Sequence, residues 1–221
     1  MNKAVVLLSG GLDSAVTLAV AKKRGFKCLC LVFDYGQRHK REINSAKKIA
    51  RVAGCEYQLI RIALPWKGSS LLDEEIKLRE SAKAVDKDGI PQTYVPARNI
   101  IFLSFALSCA EAAGAKAIFI GAHQQDYSGY PDCRREFFHA FRSVIAAGTK
   151  TGVQKGKIKI ITPLLDKRKA EIIKLGIKLG VDFGLTWSCY QGGKAPCGKC
   201  DSCYYREKGF AEAGQKDPLL R

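Results

Sequence analysis

The sequence predicts an α/β fold, a parallel five-stranded sheet with helices on both faces, and two observations predict it. Short apolar runs bounded by turn residues alternate with stretches of helical periodicity along most of the chain. A glycine turn lies directly between the first apolar run and the first helical stretch. No apolar run reaches the length needed to span a bilayer. Strands and helices that alternate in this way cover a parallel sheet on both sides, and ligands are expected where the strands' carboxyl ends meet a change of strand order.

The strands are read at Lys3 to Leu8, Lys27 to Phe33, Tyr57 to Ile62, Lys116 to Gly121 and Lys157 to Ile161. The first helix, Asp13 to Arg24, carries Val16, Leu18, Ala19 and Val20 inward, and with the strands on either side it makes a βαβ unit. A second, Arg41 to Ala53, places Ile43, Ala46, Ile49, Ala50 and Ala53 at helical spacing and is ended by Gly54. Asn99 to Ala113 reads as a largely buried helix, Arg135 to Ala147 as an amphipathic one, and Lys169 to Leu179 as a helix ended by Gly180. Two segments break the rhythm. Pro65 to Arg98 is long, charged and punctuated by Gly68, Gly89, Pro91 and Pro96, the profile of a substrate lid or binding loop. From Trp187 the chain turns rich in Cys, Gly, Lys and Tyr and reads as a small metal-held appendage, so the expected division is 1–186 and 187–221.

The 221 residues suffice for one sizeable domain. The net charge of +16, from 37 Lys and Arg against 21 Asp and Glu, makes polyanions such as nucleotides or RNA reasonable partners. Many of the lysines, including Lys22, Lys23, Lys47, Lys48, Lys167, Lys169, Lys174 and Lys178, fall on expected solvent faces of helices, and a solvated surface accounts for them. The apolar stretch at the N-terminus runs only from Ala4 to Leu8 and lacks a secretory pattern, so a cytoplasmic location is expected, with no membrane partner. The nine cysteines are accordingly read as thiols or metal ligands before disulfides.

Ser9-Gly10-Gly11-Leu12-Asp13-Ser14 follows a strand and opens a helix, where exposed backbone N–H groups and the helix dipole favour an anion. The competing account is a glycine turn with Asp13 or Ser9 as a helix cap. A dinucleotide fingerprint fails here, because it needs three spaced glycines. Gly193 to Cys200 approaches a Walker A loop, but Cys200 stands where Ser or Thr is required and no strand precedes it. Cys189, Cys197, Cys200 and Cys203 are spaced so that four thiolates can close around one ion; zinc is the first choice, and an iron–sulfur cluster is the competitor. With all four positions occupied by thiolate, zinc would be structural.

The SGGxDS stretch resembles the signature of the PP-loop ATP pyrophosphatases. Gln37 to Lys40, Tyr94 to Asn99, Asp126 to Arg134 and the four-cysteine tail together resemble the QueC family of 7-cyano-7-deazaguanine synthases, from about Lys3 to Arg206. Gln124-Gln125 before Asp126 depart from the expected pattern. The resemblance implies an adenine nucleotide alpha hydrolase-like, Rossmann-like sheet and a carbon–nitrogen ligase. It also implies adenylation of 7-carboxy-7-deazaguanine, displacement of AMP by ammonia, and a second adenylation that turns the amide into the nitrile. ATP as substrate, Mg²⁺, one structural Zn²⁺ and a homodimer follow from the same resemblance, with no requirement for tRNA.

On that reading, Leu8, Ser9, Gly10, Gly11, Leu12, Asp13, Ser14, Ala15, Val16, Thr17, Leu18 and Arg38 bind ATP, and Asp13, Ser14 and Arg98 serve catalysis. Asp126, Tyr130, Asp132 and Arg134 bind the substrate; a carboxylate here would accept from the N–H groups of a guanine-like edge, although a turn-stabilising role for Asp132 is the alternative. Tyr127 and Phe137 are further stacking candidates, Cys133 is read as a packed thiol, and His39, His123 and His139 are too isolated to support a catalytic role. Two other readings stand beside this one. A tRNA thiolase or tRNA-cytidine ligase would use the same loop but usually adds an RNA-binding domain, and a metal-held nucleotide-binding module would bind ATP without turnover.

Overall fold

The computed structural model describes residues 2–73, 75–76, 78, 90–123 and 129–220. Five parallel strands, β1 (Lys3–Leu7), β2 (Lys27–Asp34), β3 (Glu56–Arg61), β4 (Ala117–Phe119) and β5 (Lys159–Ile161), form one sheet in the order β3-β2-β1-β4-β5. Strand β1 is central and buried on both sides: Val5 and Leu7 face one core, Ala4 and Val6 the other. This is why its sequence is a continuous apolar run with no alternation.

Helices α1 (Leu12–Lys23) and α2 (Arg41–Val52) cover one face through Ala15, Leu18, Ile43, Ala46 and Ile49. Helices α3 (Arg98–Ala112) and α4 (Arg135–Gly148) cover the other through Leu103, Ala106, Leu107, Phe138 and Phe141, and a short turn, α5 (Lys150–Val153), follows α4. Helix α2 reads as amphipathic because its outer side meets water. Helix α1 does not, because a further layer packs on it: α6 (Lys169–Lys178) and α7 (Asp201–Glu212) bring Ile172, Ile173 and Phe210 against Leu12, Val16 and Val20. Each large side chain buried in this way contributes about 1.5–3 kcal/mol.

That third layer changes the picture of the tail. The segment from Trp187 onward, expected as an appendage, is continuous with the body, since α7 shares a core with α1 and α6. Arg206 of α7, 4 % exposed, fixes the join. Its Nε and Nη2 donate to the two carboxylate oxygens of Asp217 at 2.7 and 2.9 Å, Nη1 donates to Thr186 Oγ1 at 2.7 Å, and Nη2 also donates to the Phe183 carbonyl at 3.2 Å. Among the described residues, no helix is long and apolar enough to cross a membrane.

Candidate functional site

The strand order reverses between β1 and β4, and the crevice at their carboxyl ends is where the chain places its glycine loop. Gly10 has φ +90°, and a Cβ there would lie 2.0 Å from the Glu42 carbonyl oxygen and 2.7 Å from the Ala46 nitrogen, so only glycine lets the loop press against α2. Gly11 is the N-cap of α1 and no side chain caps it. The first-turn N–H groups therefore keep their capacity to bind an oxyanion. Ser14 Oγ organises the loop instead: it accepts from Gly10 N–H at 3.2 Å, donates to the Gly11 carbonyl at 2.9 Å and lies 3.1 Å from Ser9 Oγ.

The crevice opens into two overlapping chambers of about 220 and 270 Å³, which share Leu12, Asp13, Tyr35, Glu42 and Arg98. At one end stands a cluster of three charged or titratable groups. Lys169 Nζ donates to both carboxylate oxygens of Asp13 at 2.9 Å and lies 3.0 Å from His123 Nε2, which is 3.5 Å from Asp13 Oδ2. Burial alone would raise the Asp13 pKa, but the Lys169 ammonium and the His123 ring outweigh it and hold the carboxyl well below the usual carboxylate range. Lys169, expected on a solvent face, is 11 % exposed in its side chain and occupies this cluster. His123, expected to be isolated, touches two members of it.

At the other end, Arg98 opens α3. Ala97 before it is left-handed (φ 54°), an arrangement that costs a non-glycine residue about 1–2 kcal/mol. A cation in the first turn of a helix is also unfavourable to the dipole. Two neighbours hold this start in place: Tyr94 Oη accepts from Ala97 N–H at 3.1 Å, and Asp132 Oδ2 accepts from Asn99 N–H at 3.1 Å. The guanidinium lies 5.9 Å from the centre of Phe102 and 6.0 Å from that of Tyr35. Tyr130, bonded through its hydroxyl to Thr93, completes the wall, with burial pushing its pKa up to about 12.

The tail closes the remaining side. Trp187 N–H donates to the Gly10 carbonyl at 2.9 Å, the Arg41 guanidinium stacks 4.0 Å over the Trp187 ring, and Arg41 also bonds the Gly193 carbonyl. Ser188, Tyr190 and Ser202 then line both chambers. Behind them the Sγ atoms of Cys189, Cys197, Cys200 and Cys203 all lie within 4.8 Å of one another. Backbone N–H groups of Gln191 and Cys197 point at Cys189 Sγ (3.4 and 3.3 Å), and those of Lys199 and Cys200 point at Cys197 Sγ (both 3.4 Å). Such donors favour thiolate over thiol, so the four sulfurs form a cluster able to hold a metal ion.

The profile of the family described as "Queuosine biosynthesis protein QueC" matches residues 3–214. Among curated relatives, 7-cyano-7-deazaguanine synthase of Thermoplasma acidophilum is 50% identical over 218 residues, covering 99% of this chain and 91% of the relative. The chain belongs to the QueC family. The enzyme of the same name from Nostoc sp. is 51% identical, covering 98% of this chain and 96% of the relative. The solved structure of NMN synthetase from Francisella tularensis, 16% identical, shares the fold with a TM-score of 0.50 over 97% of this chain and 78% of that one.

Within this QueC chain the residues expected at the site divide clearly. Leu8, Ser9, Gly11, Leu12, Asp13, Ser14, Arg98 and Tyr130 line the chambers, with Gly10 beneath them. Ala15, Val16, Thr17 and Leu18, expected at ATP, are buried in the body of α1 and do not line the crevice, because one turn of helix carries them away from it. Arg38 borders the crevice, but its Nη2 donates to the carbonyls of Asp73 and Ile76 at 2.7 Å, tying down the start of the long loop. Asp132 is 6 % exposed and occupied with α3, the turn-stabilising alternative, while Arg134 is exposed at the N-cap of α4. Cys133 lines the crevice as a half-buried thiol, and Phe137 packs against the core. Asp126 and Tyr127, with Gln124 and Gln125, lie outside the described residues.

Proposed function

We propose that this chain converts 7-carboxy-7-deazaguanine and ammonia to 7-cyano-7-deazaguanine at the expense of ATP, supplying a precursor of queuosine-type nucleosides. The observation that carries this reading is the convergence, at the β1/β4 switch point, of an uncapped glycine loop and two cationic side chains, Lys169 and Arg98, in one cleft. ATP lies with its pyrophosphate portion on the N–H groups that open α1 and on the Ser9 and Ser14 hydroxyls. Lys169 counters charge that grows as pyrophosphate departs. Asp13 positions Lys169 in turn, and Arg98 holds the reacting carboxylate. Tyr130 gives the flat base a wall, and Asp132 acts indirectly by fixing the start of α3 and hence Arg98.

A carboxylate is a poor electrophile, so the first step gives it a leaving group. Its oxygen attacks the α-phosphorus, the bond to the β-phosphate breaks and pyrophosphate leaves. Ammonia then adds to the acyl carbon, loses a proton and expels AMP to give the amide. The amide oxygen attacks a second ATP in the same way, and loss of AMP with two protons from nitrogen leaves the nitrile. Mg²⁺ would arrive on the ATP phosphates; both oxygens of Asp13 already engage Lys169, so no side chain is assigned to it. The four cysteines suit Zn²⁺, which in a closed thiolate shell supplies folding energy and has no open position for substrate. The same reading includes a cytoplasmic homodimer, in which a second copy would cover exposed apolar side chains such as Ile100 of α3.

The test is to incubate the protein with ATP, Mg²⁺, ammonium and 7-carboxy-7-deazaguanine and to follow pyrophosphate and product mass. Nitrile with pyrophosphate is expected without tRNA. Neither product would refute the reading; turnover only with tRNA would indicate a tRNA-modifying enzyme, and ATP binding without turnover a nucleotide-binding module.

A further inference from the structure

One carboxylate in the cleft has no part in the steps above. Glu42, in the first turn of α2, lines both chambers, and its backbone is held against Gly10. Among the described residues its side chain has a single hydrogen bond, a long one, in which Gln37 Nε2 donates to Oε1 at 3.3 Å. Gln37 cannot turn round to do otherwise: its Oε1 accepts from Tyr35 N–H at 2.9 Å and its Nε2 also donates to the Phe33 carbonyl at 3.2 Å. The carboxylate is therefore aimed by a fixed amide, and its second oxygen keeps its acceptor capacity for whatever enters the cleft. The surrounding walls are flat, with Phe102 stacked on Phe33 at 4.0 Å and Tyr35 beside it.

We propose that Glu42 is the specificity-determining residue for the deazapurine, accepting the adjacent N1–H and 2-amino protons of its guanine-type edge. The assignment rests on the function proposed above, which requires the enzyme to hold two purine-like rings and to keep them apart. A guanine-type edge offers two neighbouring N–H donors, which match the two oxygens of one carboxylate. Adenine offers one amino donor beside the N1 lone pair, so the same carboxylate would accept one bond and repel the other edge. Glu42 thus favours the deazapurine over the adenine of ATP at its own two oxygens. Burial pushes the Glu42 carboxyl up to about 7 against the pull of Arg98 and Gln37, and two N–H donors from a ligand would favour its charged form.

The experiment compares 7-carboxy-7-deazaguanine with its analogue lacking the 2-amino group, by calorimetric binding and by steady-state kinetics, in the unaltered protein and in Glu42→Gln. The unaltered protein should bind the analogue about 10- to 100-fold more weakly. Glu42→Gln should raise KM for the full substrate by a similar factor, abolish the preference between the two compounds and leave KM for ATP within about twofold. Equal affinity of the unaltered protein for both compounds would overturn the assignment, whether or not the variant folds. So would a variant that keeps the preference, or one whose KM for ATP rises as much as that for substrate. Discrimination in binding without nitrile formation would refute the proposed reaction and uphold the assignment; nitrile formation without discrimination would do the reverse.

Discussion

Replacing Lys169 with Met removes the cation from the Asp13 cluster at nearly constant side-chain volume. At 2.9 Å the gross attraction is about 6 kcal/mol at an effective dielectric of 20, against a desolvation cost of several kcal/mol per ion. Breaking a fully buried pair costs about 3–5 kcal/mol, but Asp13 keeps 27 % of its side-chain exposure, so about 2–3 kcal/mol is expected at neutral pH. For a chain of this size that is a fall in Tm of about 4–12 °C. The Asp13 pKa is depressed in the folded state, so its stabilisation is complete above its unfolded pKa of about 3.9 and is lost as pH falls below it. In the variant only burial and His123 remain, and protonating a buried carboxyl then relieves strain. The gap in Tm between the two proteins should accordingly narrow from pH 7 towards pH 4, followed by circular dichroism. An unchanged Tm at pH 7, or a gap that widens towards acid, would refute the reasoning.

Gly10→Ala should cost about 3–5 kcal/mol in thermal or denaturant unfolding, because its φ of +90° is strained for alanine and the new methyl would meet the fixed Glu42 carbonyl rather than a flexible side chain; a loss below about 1 kcal/mol would show that α2 yields. Cys200→Ser should abolish stoichiometric zinc in elemental analysis and expose the segment after Trp187 to protease, whereas one retained zinc per chain would exclude a four-thiolate site. Arg206→Met should lose about 3–5 kcal/mol by stranding Asp217, itself 3 % exposed in its side chain, and Asp217→Leu added to it should recover part of the loss; a double variant less stable than the single one would contradict this.

The sheet was legible because β1, β2 and β4 are apolar runs buried on both faces, and because α2 and α4 carry a regular apolar stripe. The expected bounds of β1, β2 and α2 differ from the observed ones by one residue at one end, and those of α3 by one residue at each end. What escaped was structure whose burial depends on other layers. Helix α7 buries Cys203, Arg206, Gly209 and Phe210, a face with one large apolar side chain, so its periodicity is faint. Lysine is usually solvated, yet Lys169 lies three and four residues before Ile172 and Ile173, on the same face as Gly176. Glu42 carries a similar signal, standing four residues before buried Ala46. A charged residue on an apolar stripe is the pattern that would have found both. The long glycine-to-cysteine separation hid the docking of Trp187 on Gly10, which no local pattern encodes.

The central claim is that this cleft activates oxygen twice by adenylation, and the most direct measurement is the nucleotide balance per nitrile formed. With 7-carboxy-7-deazaguanine, ammonium and ATP, the account predicts about two AMP and two pyrophosphate per nitrile, with the amide accumulating when ATP is limiting. ADP and orthophosphate as products, or one ATP per nitrile, would contradict it.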